Sequence, residues 1–303
     1  YGALSAPAIT ALSKGAAAAN CWLNTGEGGL SQHHLSGQCD IVFQIGTAKY
    51  GVRDDEGNLC PARLKAIADN PAVKMFELKL SQGAKPGKGG ILPAAKVSAD
   101  IAATRGIPQG EASISPNRHR DIATVQELID RIGDIRDITG KPVGFKTVLG
   151  DTQWFSELCA YMATLPSEQL PDFITVDGAE GGTGAAPQAL MDYMGLPLME
   201  SLPLVIDELK KNHLKERIAV IASGKLIDPS CVAKALATGA DFVVSARGFM
   251  FSLGCIQAMQ CHKNTCPTGI TTHNARLQKG LDPHNKAQRV ANYHAQQIKE
   301  VEM

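Results

Sequence analysis

From residue 70 onward the sequence alternates between two textures, and that alternation limits the folds open to it. Short runs rich in β-branched residues, "MFELKLS" (75–81), "EASISP" (111–116), "PVGFKTVL" (142–149), "DFITVDG" (172–178), "IAVIASG" (218–224) and "DFVVSARG" (241–248), are separated by helix-like stretches. In one of these, Val125, Leu128, Ile129 and Ile132 fall on a single face, with Asp121 expected as N-cap. Strands that are almost continuously apolar and separated by helices imply parallel βαβ units covered on both sides. Two further strands are expected at the start, "YGALS" (1–5) and "CWLN" (21–24), with a helix between them. Eight strands close a (β/α)8 TIM barrel. An open doubly wound sheet is the alternative, with "DIVFQIG" (40–46) as an additional strand. No Gly-rich dinucleotide fingerprint follows an early strand, so the barrel is favoured, as one domain over 1–303.

Composition narrows the function. Basic and acidic residues number thirty each, which argues against a nucleic-acid binder. No apolar run reaches the roughly 18 residues that span a bilayer, and no signal peptide is visible. A cytoplasmic location is therefore expected. The opening "YGALSAPAIT" reads as a chain entered mid-element, with the N-terminus truncated and a membrane anchor possible in the missing segment.

A barrel places its chemistry at the C-terminal ends of strands, and the unusual residues gather there. Glu27 follows the second strand in "NTGEGG"; Lys79, Gln82, Lys85 and Lys88 cluster after the third; Lys146 lies in the fifth; "DGAEGGTGAAP" (177–187) follows the sixth. Gly224, Lys225, Arg247 and Gly248, after the last two strands, are candidates for gripping a cofactor phosphate, against the alternative of plain tight turns. Lys79 and Lys146 sit in apolar strands and need an anion, either a reduced flavin or an internal partner such as Asp177 or Glu27. His119 is read as a solvated loop residue and His262 as a cover over the cysteines.

Of eight cysteines, five are scattered and read as small buried thiols. Cys255, Cys261 and Cys266 instead form a C-x5-C-x4-C set in "GCIQAMQCHKNTCPTG". Thiolates suit zinc or iron–sulfur. A [3Fe–4S] cluster, a Cys3His zinc site using His262 or His273, and three unligated thiols all remain open from spacing alone.

"CIQAMQCHKNTCPTG" resembles the cluster loop of glutamate synthases, and "YGALS", "NTGEGG", "QGAKPGKGG", "ISP" before "HRDI", "GGTGA" and "ANYH" continue the match in order. The resemblance implies an FMN-binding barrel with a [3Fe–4S] cluster on Cys255, Cys261 and Cys266, in a loop over 254–273. It implies that Glu27, Lys85 and Arg105 hold or process 2-oxoglutarate. Ser5, Lys79, Gln82, Lys146, Asp177, Gly181, Gly182, Thr183, Gly184, Ser223, Gly224, Lys225, Arg247 and Gly248 would enclose FMN. Electrons would pass from a donor protein or an NAD(P)H-oxidising subunit through the cluster to FMN, reducing a 2-imino acid to glutamate. An alternative keeps both cofactors with another amine or 2-oxo acid, or makes the chain a non-catalytic electron-transfer subunit. "GKGGI" stands where the family reads "GEGGQ", "ASGK" where it reads "DGG", and "DGAEGGTGA" differs from "HDGGTGA". No glutaminase domain is present in the sequence, so the amine source is expected to be external, a separate glutaminase subunit among the candidates.

Overall fold

The computed structural model describes residues 1–84, 89–180, 186–187 and 189–303. Seven parallel strands form one sheet: β1 (Leu23–Asn24), β2 (Ile41–Ile45), β3 (Val73–Lys79), β6 (Val143–Thr147), β7 (Phe173–Asp177), β8 (Ala219–Ser223) and β9 (Phe242–Val244), hydrogen-bonded in that order. β4 (Ile91–Leu92) and β5 (Ser113–Ile114) make a separate antiparallel ribbon. The helices are α1 (Ala6–Ala18), α2 (Gln32–Leu35), α3 (Pro61–Ala68), α4 (Ala99–Arg105), α5 (Val125–Thr139) and α6 (Thr152–Met162). They continue with α7 (Leu198–Lys211), α8 (Pro229–Thr238), α9 (Arg247–Leu253), α10 (Ala275–Gln278) and α11 (Pro283–Val301).

The period-2 rule explains how strands that read as apolar build a polar interior. On the outer face Phe43, Phe76, Phe145, Ile174 and Val176 are buried among the helices, each contributing roughly 1.5–3 kcal/mol by leaving water. On the alternate positions Gln44, Glu77, Lys79, Lys146, Thr175 and Asp177 share the other face. Register aligns them: Gln44 sits beside Glu77, Lys79 beside Lys146, Lys146 beside Thr175, and Asp177 beside Ser223. The ends of the sheet approach each other, since Trp22 before β1 and Phe242 of β9 meet edge to face at 5.5 Å. Outside them α11 packs along α1, where Gly15 leaves room for Val290.

Three expectations change. "YGALS" is not a strand: Gly2 turns with φ +115° and Ser5 is the N-cap of α1, so the segment plugs the barrel mouth instead. "EASISP" contributes only the two residues of β5, because β3 pairs directly with β6 and leaves no slot between them. "DIVFQIG" is instead a full barrel strand, with every residue of β2 buried between β1 and β3. The cap of α5 also differs. Thr124 accepts from Glu127 N at 3.2 Å while the Glu127 carboxylate accepts from Thr124 N at 2.9 Å, a reciprocal capping box. Asp121 is instead paired with Lys49 and Arg131, each at 3.0 Å. No helix among the described residues is long and apolar enough to cross a membrane.

Candidate functional site

The C-terminal ends of the strands open onto one cavity of about 460 Å³. Asn24, Gln44, Lys79, Lys146, Asp177 and Ser223 reach it from six different strands, and Gly224, Lys225, Ala246 and Arg247 also line it. Tyr1, Ala3 and Leu4 of the plug segment, with Arg105 from α4, complete the lining named here.

Its charges interlock. Lys79 Nζ donates to Glu27 Oε2 at 3.0 Å and to Gln82 Oε1 at 2.7 Å. The internal partner left open by the sequence is therefore Glu27. Burial lowers the Lys79 ammonium from its ordinary range, the Lys146 charge adds to that, and Glu27 opposes it. For Lys146 burial also works downward, but Asp177, Glu77 and Glu27 outweigh it and raise its pKa. Asp177 is fixed on both sides, accepting from Gly83 N and from Ser223 Oγ at 2.8 Å each. Gly46 and Gly90 flank Glu27 so closely that a Cβ at either would run into its side chain.

Two contributors were missed by sequence reasoning. Glu77, only 3% exposed, accepts from Asn24 Nδ2 (2.9 Å), Gln44 Nε2 (2.6 Å) and Thr175 Oγ1 (2.6 Å), three donors from three other strands. An acidic residue two positions before a strand-end lysine carries the signal, since both then point to the same face. His119 is not on a solvated loop: it is 3% exposed, with Nε2 2.9 Å from the carbonyl of Lys79. Burial pushes its pKa down to about 4.

Arg105 is buried, donates Nε–H to the Tyr1 carbonyl at 2.9 Å, and lies over the Tyr50 ring at 4.6 Å. Glu27 and Arg105 thus share the cavity. Two expected cofactor residues do not line it among the described residues. Ser5 is committed to capping α1, its Oγ accepting from Ala8 N at 3.3 Å. Gly248 is a packing position, since a Cβ there would overlap Tyr293 Oη. Gly224 adopts φ +151° and Lys225 φ +44°, the latter with Nζ 3.3 Å from Asp192. Lys85, Lys88 and Gly181, Gly182, Thr183 and Gly184 lie outside the described residues.

The cysteine loop leaves α9 beyond the cavity. Cys255, Cys261 and Cys266 are free and partly buried, and Cys255 and Cys266 pack against the buried cluster that includes Leu253, Ile270, Leu281 and Val290. Burial raises the Cys266 thiol, but hydrogen bonds from Thr268 and Thr271 outweigh it and bring the pKa down to about 7. Among the described residues no three His, Cys, Asp or Glu side chains gather as ligands for a metal ion, so neither a Cys3His zinc centre nor a three-cysteine cluster site is preformed. Three soft sulfurs, one of which ionises readily, are donors of the kind that zinc and iron–sulfur both take. Of the five scattered cysteines, Cys39 and Cys159 are buried, whereas Cys21, Cys60 and Cys231 are only partly so.

Comparison with known proteins places this architecture. The family described as the conserved region in glutamate synthase matches residues 1–303. The glutamate synthase large subunit-like protein YerD of Bacillus subtilis is 47% identical over 97% of this chain and 55% of its own length. An archaeal glutamate synthase [NADPH] of Methanocaldococcus jannaschii is 35% identical over 96% of this chain and 54% of its own. The chain thus spans about half the length of the curated relatives it matches. Among solved structures, mandelate oxidase with (S)-2-phenylpropionate superposes with TM-score 0.52 at 14% identity, covering 97% of this chain and 67% of that one. A flavocytochrome b2 double mutant with pyruvate bound gives TM-score 0.50 at 14% identity over 93% and 61%. At such identities the likeness is one of fold, an α/β barrel of parallel strands. The match along the whole chain, together with these relatives, establishes that the chain belongs to the glutamate synthase family.

Proposed function

We propose that this chain is a glutamate synthase-like oxidoreductase domain that binds FMN and reduces a 2-imino acid derived from 2-oxoglutarate to glutamate. The observation that carries the reading is the cavity at the strand ends, where Lys79 with Glu27 and Gln82, Lys146 with Asp177, and Arg105 converge on one space. Lys79, Gln82, Lys146, Asp177, Ser223, Gly224, Lys225 and Arg247 would hold FMN, with backbone free of a side chain at Gly224. FMN, when bound, supplies hydride transfer to a carbon–nitrogen double bond. The ammonium groups of Lys79 and Lys146 would stabilise negative charge on it. Arg105 would bind a substrate carboxylate, and Glu27, held by Lys79, would orient the substrate nitrogen and move its proton; Lys85 joins them by resemblance. Cys255, Cys261 and Cys266 would carry a [3Fe–4S] cluster, fed by a donor protein or an NAD(P)H-oxidising subunit. Ammonia, from a separate glutaminase or from solution, would be the amine source.

The test is anaerobic purification followed by an absorption spectrum and flavin reoxidation assays. Flavin bands, an iron–sulfur shoulder that bleaches on reduction, and reoxidation by 2-oxoglutarate with ammonium support the reading. Reoxidation only with methylamine replaces glutamate by an N-alkylglutamate. A protein that binds flavin but turns over with no 2-oxo acid and amine overturns the catalytic part.

A further inference from the structure

Tyr293 belongs to "ANYH", one of the segments that carry the family resemblance, yet it is not among the residues that line the cavity. It stands on α11, and its hydroxyl meets two loops that do line it. Its Oη donates to the Ile227 carbonyl at 2.6 Å. Ile227 closes the loop after β8, three residues beyond Gly224 and one before Asp228, the N-cap of α8. The same oxygen lies so close to Gly248, at the start of α9, that a Cβ there would overlap it. The Tyr293 ring also meets Phe249 edge to face at 5.1 Å. Gln297, one turn further along α11, donates Nε2–H to Tyr293 Oη at 3.0 Å and to the Ile227 carbonyl as well.

The cavity-lining members of these loops are Ser223, Gly224 and Lys225 in the first, and Ala246 and Arg247 in the second. Strand register fixes Lys79 beside Lys146, but residues beyond the strand ends have no ladder to set their spacing. The first loop holds Gly224 at φ +151° and Lys225 at φ +44°. A non-glycine residue in the left-handed region persists only where its surroundings hold it. Two residues on, the Ile227 carbonyl is held by Tyr293 and Gln297 together. Glycine at 248 follows from the same contact, since a side chain there would push the hydroxyl off its carbonyl.

We infer that Tyr293 is a positioning residue for the phosphate end of the flavin: its hydroxyl clamps the loop after β8 to the start of α9, and so sets Gly224 and Lys225 against Arg247. The inference rests on the FMN reading given above. It concerns the phosphate rather than the ring, because Lys79 and Lys146 stand on β3 and β6, which the sheet order separates from β8 and β9 by β7.

The test is binding of FMN and of riboflavin, which has the same ring system and no phosphate, by fluorescence titration of the flavin-free full chain. Wild type should bind FMN at least about tenfold more tightly than riboflavin. Tyr293→Phe keeps the ring against Phe249 and deletes the hydroxyl. It should weaken FMN by about tenfold, the scale of one hydrogen bond, and leave riboflavin within about twofold of wild type. A merely structural tyrosine would weaken both flavins together, so equal losses overturn the inference. An FMN affinity that Tyr293→Phe leaves unchanged overturns it too. Gln297→Met removes the second donor to the Ile227 carbonyl and decides the matter if Tyr293→Phe does not fold. A loss confined to FMN supports the clamp, and no such loss overturns it. A wild type that binds riboflavin as tightly as FMN overturns the phosphate grip and the clamp while leaving the flavin reading in place. A wild type that binds neither overturns the flavin reading and the clamp together.

Discussion

Lys79 and Lys96 are both buried lysines beside the same cavity, and the protein holds them in opposite ways. Lys79 meets a carboxylate, Glu27, and an amide oxygen, Gln82. Lys96 meets three peptide carbonyls and no carboxylate among the described residues. The difference follows from where each stands. Lys79 closes β3, where register sets it beside the like-charged Lys146, and the loop after β1 brings the Glu27 carboxylate against it. Lys96 is on a turn that faces loops, and loops offer backbone. The strand ends thus set charge against charge before any ligand arrives, whereas the Lys96 ammonium is held by peptide carbonyls.

The hardest blow to that contrast is dealt through Glu77. Replacing it with Leu would leave Asn24, Gln44 and Thr175 without their acceptor and Lys146 without one of its carboxylates. Breaking such a buried network by removing one partner costs about 3–5 kcal/mol. Urea unfolding of Glu77→Leu should show a loss of this size. Lys96→Met in metal-free protein should cost clearly less, because deleting an uncompensated buried charge relieves part of its desolvation. Equal losses would mean that the two lysine environments are not electrostatically different.

Acid should attack the strand ends through His119. Its Nε2–H donates to the Lys79 carbonyl, while Nδ1 is buried with no partner among the described residues, so a second proton there has no acceptor. The pKa is held down at about 4, against 6.5 in the unfolded chain. Stability from this group is complete above pH 6.5 and is lost as pH falls from 6.5 toward 4, about 3 kcal/mol in all. His119→Gln should flatten the fall in unfolding free energy across that window. A slope unchanged by the substitution would remove His119 from the account of acid sensitivity.

Lys79→Met tests the strand ends by function. It removes the cation that holds Glu27 and Gln82, and flavin reoxidation by 2-oxoglutarate and ammonium should fall by about 100-fold, the usual scale for losing one preorganised donor. A drop of only a few fold would make Lys79 a structural partner of Glu27.

Much of this was legible in the chain, for reasons that differ along it. β3, β6, β7, β8 and β9 announced themselves because parallel strands alternating with helices read as short apolar runs. β2 is as apolar as any, yet eight strands are already counted with "YGALS" and "EASISP" among them, so "DIVFQIG" enters only as the additional strand of the open-sheet alternative. What decides that contest is the backbone at Gly2 and the capping role of Ser5, neither of which is a periodicity. Glu27, Lys79, Gln82, Lys146 and Asp177 were readable because a charged or amide side chain at the end of an apolar strand must find a polar partner, and the barrel mouth is where partners gather. Lys96 and His119 were not. Their environments are made by carbonyls from residues 40 to 175 positions away, and no local pattern encodes an acceptor of that kind.

The smallest expected effect separates backbone from charge at the cavity rim. Lys225 has φ +44°, in the left-handed region that favours glycine, and its ammonium is more than a third exposed beside an equally exposed Asp192. Such a surface pair contributes at most about 1 kcal/mol, and often nothing. Lys225→Gly relieves the backbone while deleting the charge, so unfolding stability should stay within about 1 kcal/mol of wild type. FMN affinity, measured by fluorescence titration of the flavin-free protein, should weaken by about tenfold or less, and the weakening should shrink at high salt, because a half-exposed cation acts on a phosphate through screened solvent. A larger loss that persists in salt would put Lys225 among the interlocked charges of the strand ends. No loss would leave the grip on that side of the cavity to Ser223, the Gly224 backbone and Arg247, and the contrast between built and unbuilt charge would then run through the cavity wall itself.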